Sequence, residues 1–274
     1  MPGSTSPTPA RIAIAGLGAI GLKVAEALDA GIPGCTLAAV SARNRGAAAE
    51  RLSHLQRPVP VLTIEQLEPL ADIVVECAPA HLLAAIVEPF LRAGKKAIVL
   101  SCGALLQHHS LVAVARTFGG QIIVPTGALI GLDAVSAAAE GKIHSVHMIT
   151  RKPVKGLVGA PYLAENNIEI ESIKGPLLLF EGTARTAAAG FPANLNVAVA
   201  LSLAGIGPDR TTLEIWADPE LQHNTHRIEV DADSARFSMT MENVPSENPR
   251  TGRITALSVI SCLRKMNVPQ RVGS

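Results

Sequence analysis

Residues 11–21 read Arg11-Ile12-Ala13-Ile14-Ala15-Gly16-Leu17-Gly18-Ala19-Ile20-Gly21. An apolar run enters a glycine-rich turn, and an amphipathic segment over 21–31 leaves it. Strand, turn and helix in that order give the GxGxxG spacing a meaning it lacks alone. Gly16 permits the tight turn, Gly18 lets backbone approach a pyrophosphate, and Gly21 lets helix pack closely on strand. Phosphates then meet the N–H groups of a helix N-terminus, so Gly16, Gly18, Ala19, Ile20 and Gly21 are candidate cofactor contacts.

Outward from this turn the same rhythm continues to residue 127. Apolar runs at 36–41, 59–62, 72–77, 97–102 and 121–127 alternate with helical patterns at 46–55, 80–94 and 103–119. Gly31, Gly94 and Gly119 stand where helix C-caps fall. The expectation is a Rossmann-type α/β domain with a doubly wound parallel sheet over 11–128, preceded by a disordered tail at 1–10. Ligands gather at the carboxyl ends of such strands. That rule draws attention to Glu76-Cys77-Ala78-Pro79-Ala80-His81, with Ala78 as a further cofactor contact.

An acid closing the second strand selects NAD by holding the ribose 2′-hydroxyl. Here the strand ends Val40-Ser41-Ala42-Arg43-Asn44-Arg45, without a carboxylate. Ser41 can bond a hydroxyl or a phosphate, and Arg43 or Arg45 can pair a 2′-phosphate. The cofactor is therefore NAD or NADP, with the choice open.

Composition excludes several other classes. Twenty-four Lys plus Arg against 23 Asp plus Glu leave a net charge of +1, and aromatics are 3%. That provides neither a basic face nor stacking platforms for nucleic acid. Cys35, Cys77, Cys102 and Cys262 form no CxxC pair and read as reduced thiols, and the histidines lack metal-ligand spacing. No apolar stretch is long enough for a bilayer, and the N-terminus has no signal-peptide core, so a cytoplasmic protein is expected.

After about residue 142 the period shifts to alternation, at 143–154, 168–173, 211–218, 226–234 and 235–244. One helical pattern lies near 193–205, and a last one at 253–266 can pack back on the first domain. Residues 129–250 thus read as an α+β substrate and dimerisation domain with a mostly antiparallel sheet. A sheet of this kind commonly pairs across a two-fold axis, which suggests a homodimer.

Several segments stand out in order: Pro125-Thr126-Gly127-Ala128-Leu129-Ile130-Gly131, Thr150-Arg151-Lys152-Pro153, Phe191-Pro192-Ala193-Asn194-Leu195-Asn196-Val197, and Ala217-Asp218-Pro219 followed by Asn224-Thr225-His226. Taken together with the glycine turn, they resemble the L-aspartate dehydrogenase family over nearly the whole chain from residue 11. The resemblance implies NAD(P)-linked oxidative deamination of L-aspartate to iminoaspartate, which water converts to oxaloacetate and ammonia; the imine can also feed NAD biosynthesis. It implies His226 as the active-site histidine and Asn196 at the nicotinamide end of the cofactor. It also implies a small residue of the 127–131 loop against the cofactor. Ile130 occupies that position where Ala or Gly is commoner, so Ala128 is the alternative contact.

The chemistry agrees with the residue types. Amine oxidation needs a deprotonated amine and an activated water, which a histidine titrating near neutrality can serve. A dicarboxylate needs fixed cations: Arg151 and Lys152 are candidates, with Thr126 and Asn196 as polar contacts, and Lys174 and Arg185 as further possibilities. Alternatives are a related dehydrogenase acting on another small amino or oxo acid, and a non-catalytic NAD(P)H-binding protein.

Overall fold

A computed structural model describes residues 8–192, 195–246 and 252–273. Residues 1–7 of the expected tail, Ala193 and Asn194 of the Phe191–Val197 motif, and the segment 247–251 lie outside the described residues. The chain divides into two compact units, Met1–Pro125 with Ala256–Val272, and Thr126–Thr255 with Gly273–Ser274.

The first unit runs β1 (Ala10–Ala15), α1 (Ala19–Gly31), β2 (Cys35–Ser41), α2 (Arg45–Leu52), β3 (Val61–Leu62), β4 (Ile73–Glu76), α3 (Leu83–Arg92), β5 (Lys96–Val99), α4 (Cys102–Leu105), α5 (Ser110–Phe118) and β6 (Gln121–Ile123). Every pairing is parallel and the strand order is β3-β2-β1-β4-β5-β6. That is the Rossmann order, whose reversal between β1 and β4 opens a crevice at the strands' carboxyl ends. Alternation of side chains supplies both layers. Ile12, Ile14, Ile73, Val75 and Ile98 join one apolar cluster with Val24 and Leu28 of α1. Ala13, Ala15, Val74, Ala97 and Val99 join the other with Leu83, Ile86 and Phe90 of α3 and Leu111 of α5. The pattern expected over 103–119 is two helices, because the chain turns at Gln107–His109 before α5 begins.

The second unit begins with α6 (Leu132–Ala139), β7 (Ile143–Lys152) and α7 (Pro161–Glu165). It continues through β8 (Leu177–Thr183), α8 (Ala184–Gly190), α9 (Asn196–Ala204), β9 (Thr211–Ala217), β10 (Asn224–Ala232) and β11 (Arg236–Asn243). The sheet order is β11-β10-β7-β9-β8, antiparallel except for the β7–β9 pair. The final helix, α10 (Arg253–Lys265), sends Val259 and Leu263 into the β1-side cluster of the first unit.

One expected strand is absent. Residues 168–173 alternate in sequence, yet only Ile170 of them is buried and the segment pairs with nothing. Asn167, at φ +52°, turns the chain just before it. The edge position beside β9 belongs instead to β8, whose continuous run Leu177-Leu178-Leu179-Phe180 lacks a period of two. Phe180 there packs on Tyr162 and Phe191, with ring centroids 5.3 and 6.0 Å away. Among the described residues no helix is long and apolar enough to cross a membrane.

Candidate active site

In the first unit the glycine turn is built for close approach. Gly16 sits at φ +100°, and a Cβ there would lie 2.5 Å from the Cys77 carbonyl oxygen and 2.9 Å from the Ala78 nitrogen. A Cβ at Gly21 would lie 2.0 Å from the Gly16 oxygen. Both glycines are thus required by the fold itself. Gly18 differs: a Cβ there would meet nothing within 4 Å. Its lack of a side chain leaves room above the turn, which suits a pyrophosphate lying against backbone. Gly18 is also the N-cap of α1 and offers no side-chain cap, so the first-turn N–H groups of Ala19, Ile20 and Gly21 point past the helix end. The residues present therefore fit a dinucleotide.

Around this turn, Ser41 is buried and its carbonyl accepts the Gly16 N–H at 2.9 Å. Arg43 and Arg45 are exposed at the end of β2, and the Asn44 side chain caps α2 by accepting from the Ala47 N–H. Arg51 reaches back from α2 to donate to the Leu17 carbonyl inside the glycine turn. No motif in the sequence announces that contact, since it depends on how α2 lies along the turn. Ala78 is half-buried, and its N–H donates to Glu76.

In the second unit, register decides which polar groups meet. His226 on β10 stands directly opposite Thr150 on β7, so their side chains share one face of the sheet. The imidazole Nδ1 makes a short hydrogen bond to the Thr150 hydroxyl. Lys152 lies two residues beyond Thr150 and therefore on that same face. This is the apolar face, which also carries Val146, Met148, Leu213, Ile215, Ile228 and Val230. Thr150 is 0%, His226 3% and Lys152 4% exposed.

Burial in such surroundings acts on both titratable groups. It pushes the Lys152 ammonium down to about 8, and burial together with the charge of Lys152 pushes the His226 imidazole down to about 3. His226 is thus neutral across the physiological range. This corrects the expectation of a histidine titrating near neutrality: desolvation and a neighbouring cation both oppose the imidazolium.

Arg151 is held away from this group. Strand alternation puts it on the opposite face of β7, where it pairs with Asp218 at 3.2 Å and lies 6.0 Å over the Trp216 ring. Arg185 is tied to Asp209 at 2.6 Å on the surface, and Lys174 is exposed. Of the basic candidates, only Lys152 shares a face with His226. Asn196 opens α9 and is exposed.

The loop that holds Thr126, Ala128 and Ile130 is braced from β11. Asn243 donates from Nδ2 to the Ala128 carbonyl at 3.0 Å, and Gly131 (φ +75°) is so close to Met239 that a Cβ would lie 2.1 Å from its sulfur. Thr126 is exposed, while Ala128 and Ile130 are half-buried. A separate pocket is lined by Pro153, Gly156, Asn224 and Asn243 among others, but not by His226 or Lys152. Among the described residues no group of three or more His, Cys, Asp or Glu is placed to hold a metal ion.

Known proteins match this arrangement along its whole length. The family model described as the NAD-binding domain of homoserine dehydrogenase matches residues 16–125, and that of the aspartate dehydrogenase C-terminal domain matches 133–266. L-aspartate dehydrogenase of Bradyrhizobium diazoefficiens is 61% identical over 274 residues, covering 100% of this chain and 98% of the relative. L-aspartate dehydrogenase 3 of Bordetella bronchiseptica is 60% identical, covering 96% and 97%. The crystal structure of aspartate dehydrogenase from Thermotoga maritima shares the fold, with a TM-score of 0.76 at 24% identity over 96% of this chain and 99% of that one. Fold, glycine turn and relatives define the class as an NAD(P)-dependent amino-acid dehydrogenase. Within that class the chain belongs to the L-aspartate dehydrogenase family.

The buried ammonium has a consequence for stability. Below pH 8 Lys152 is charged in both folded and unfolded chains, so the folded state carries the full desolvation cost. Above pH 10.5 it is neutral in both and the cost vanishes. Lowering the ammonium from 10.5 to about 8 corresponds to about 3 kcal/mol. Lys152→Met is therefore expected to raise unfolding free energy at pH 7 by up to about 3 kcal/mol, a gain that shrinks between pH 8 and 10.5. Denaturant titrations at pH 7 and pH 10.5 test this, and a variant less stable than the parent at pH 7 would refute it.

Proposed function

We propose that the protein oxidises L-aspartate, with residues 11–128 binding NAD or NADP and residues 129–250 binding the amino acid. The balanced reaction is aspartate plus NAD(P)⁺ and water giving oxaloacetate, ammonium, NAD(P)H and a proton. The observation that carries this reading is the buried trio Thr150, Lys152 and His226 on one sheet face, in a chain of this family. When bound, the nicotinamide supplies the hydride acceptor.

The chain's own residues supply binding and proton transfer. The turn at Gly16, Gly18, Ala19, Ile20 and Gly21 receives the pyrophosphate, with Ala78 beside it. Asn196 and the loop at Ala128 and Ile130 serve the nicotinamide end. Lys152 is the cation that meets a substrate carboxylate, with Thr126 and Asn196 as polar contacts. Arg151 is a weaker candidate, because Asp218 already neutralises it on the other face.

His226 is the acid–base group. Its Nδ1 is engaged by Thr150, which fixes the ring and leaves Nε2 to exchange a proton with the substrate amine and, after hydride loss, with the water that attacks the imine. An imidazole held near 3 is a poor base, and the Lys152 charge contributes to that depression. A carboxylate seated on Lys152 offsets the charge and raises the basicity of His226. Substrate thereby helps to prepare its own base.

The same reading extends to cofactor choice and assembly. The absence of an acid at the end of β2, with Arg43 and Arg45 exposed there, favours acceptance of NADP as well as NAD. The face of the second unit's sheet opposite His226 carries Ile149 and Trp216 among half-buried polar neighbours, which suits pairing with a second copy as a cytoplasmic homodimer.

The purified protein is expected to oxidise NADH and NADPH when given oxaloacetate and ammonia, and His226→Ala to lose about 10²–10⁴ in rate while still binding cofactor. Absence of turnover by a cofactor-binding parent would remove aspartate as substrate, and full activity in the variant would remove His226 from the mechanism. Arg43→Ala is expected to raise KM for NADPH about tenfold with little effect on NADH. Equal effects on both would place the 2′-phosphate elsewhere.

A further inference from the structure

Glu76 closes β4 with 0% exposure and lies outside every catalytic step described above. A carboxylate that deep in an apolar sheet needs donors, and it has four. Oε1 accepts from the Ala78 N–H at 3.1 Å and from the Ser101 hydroxyl at 3.0 Å. Oε2 accepts from the N–H groups of Leu100 at 3.1 Å and Ser101 at 2.9 Å. One side chain therefore holds the segments leaving two adjacent strands, β4 and β5, at the ligand-binding end of the sheet.

The grip on Ala78 matters most for function. The carbonyl of Cys77 and the nitrogen of Ala78 are the very atoms that crowd Gly16. The 77–78 backbone is therefore one wall of the glycine turn, and among the described residues it is Glu76 that accepts the Ala78 N–H. Resting on the cofactor site proposed above, we propose that Glu76 is a positioning residue for the dinucleotide. It fixes the Cys77–Ala78 wall against Gly16 without touching the cofactor.

The two oxygens have different partners, which makes a selective variant available. In Glu76→Gln the new amide NH₂ cannot occupy the Oε2 place, where it would face two N–H donors. It goes to the Oε1 place, where the Ser101 hydroxyl can turn to accept from it, but where the Ala78 N–H finds a donor instead of an acceptor. The substitution thus releases Ala78 while retaining the bonds to Leu100 and Ser101. Ser101→Ala does the reverse: it removes one hydroxyl bond and leaves the Ala78 bond intact.

Fluorescence titrations with NADH and NADPH on the full-length protein, alongside cofactor-free thermal unfolding and steady-state kinetics, test this proposal. Glu76→Gln should raise Kd and KM for the cofactor about tenfold, with kcat at saturating cofactor and KM for aspartate within about twofold of the parent. Ser101→Ala should leave Kd unchanged. Hydrogen exchange on the unsubstituted protein gives a measurement independent of how any variant folds: the Ala78 amide should exchange slowly without cofactor. Parent-like affinity in Glu76→Gln, equal weakening by Ser101→Ala, or a rapidly exchanging Ala78 amide would each overturn the role of Glu76. Failure of the unsubstituted protein to bind either cofactor would instead overturn the site on which the proposal rests, and the proposal with it.

Discussion

A cation is kept on the apolar face of a β-sheet, and the chemistry assigned to the second unit depends on that placement. Lys152 shares its face with Met148, Ile215 and Ile228, where no ammonium would settle for stability alone. The β7–β10 register then sets His226 across from Thr150 on that face. A slip by one residue would send His226 to the side occupied by Arg151 and Trp216. Pairing, burial and charge are therefore one constraint, and it leaves the protein with a neutral imidazole beside a weakly held proton.

Each unit keeps an ionisable side chain buried, Glu76 in the first and Lys152 in the second. Glu76 is surrounded by donors from backbone and Ser101, so its charge is matched within the fold. Burial raises its carboxyl above the usual range, while those bonds pull it back. Lys152 sits beside His226, a neighbour that its charge disfavours. A matched buried charge holds structure in place.

Much of the first unit was legible because its constraints are steric and local. Gly16 and Gly21 are required by backbone contacts that no other residue would tolerate, and buried strands betray themselves as apolar runs. The split between α4 and α5 was not legible, since both halves share an apolar pattern. In the second unit, alternation marked β7, β9, β10 and β11 but misread 168–173, where one buried isoleucine imitates a strand. Arg151 and Lys152 are neighbours in sequence and lie on opposite faces, a fact that follows only once β7 is known to be a strand with a defined apolar side. The segments 76–81 and 150–153 stand out in the sequence, but the Thr150–His226 bond, the Arg51 contact with the glycine turn and the anchoring role of Glu76 depend on contacts made across the fold.

We propose that Lys152 is the cation that receives the substrate carboxylate. Succinate, a four-carbon dicarboxylate without the amine, isolates that step as a competitive inhibitor against aspartate. Its Ki should be flat below about pH 8 and then rise roughly tenfold per pH unit as Lys152 loses its proton, with no such rise in Lys152→Met. A Ki independent of pH from 6 to 10 in the parent protein would contradict the account.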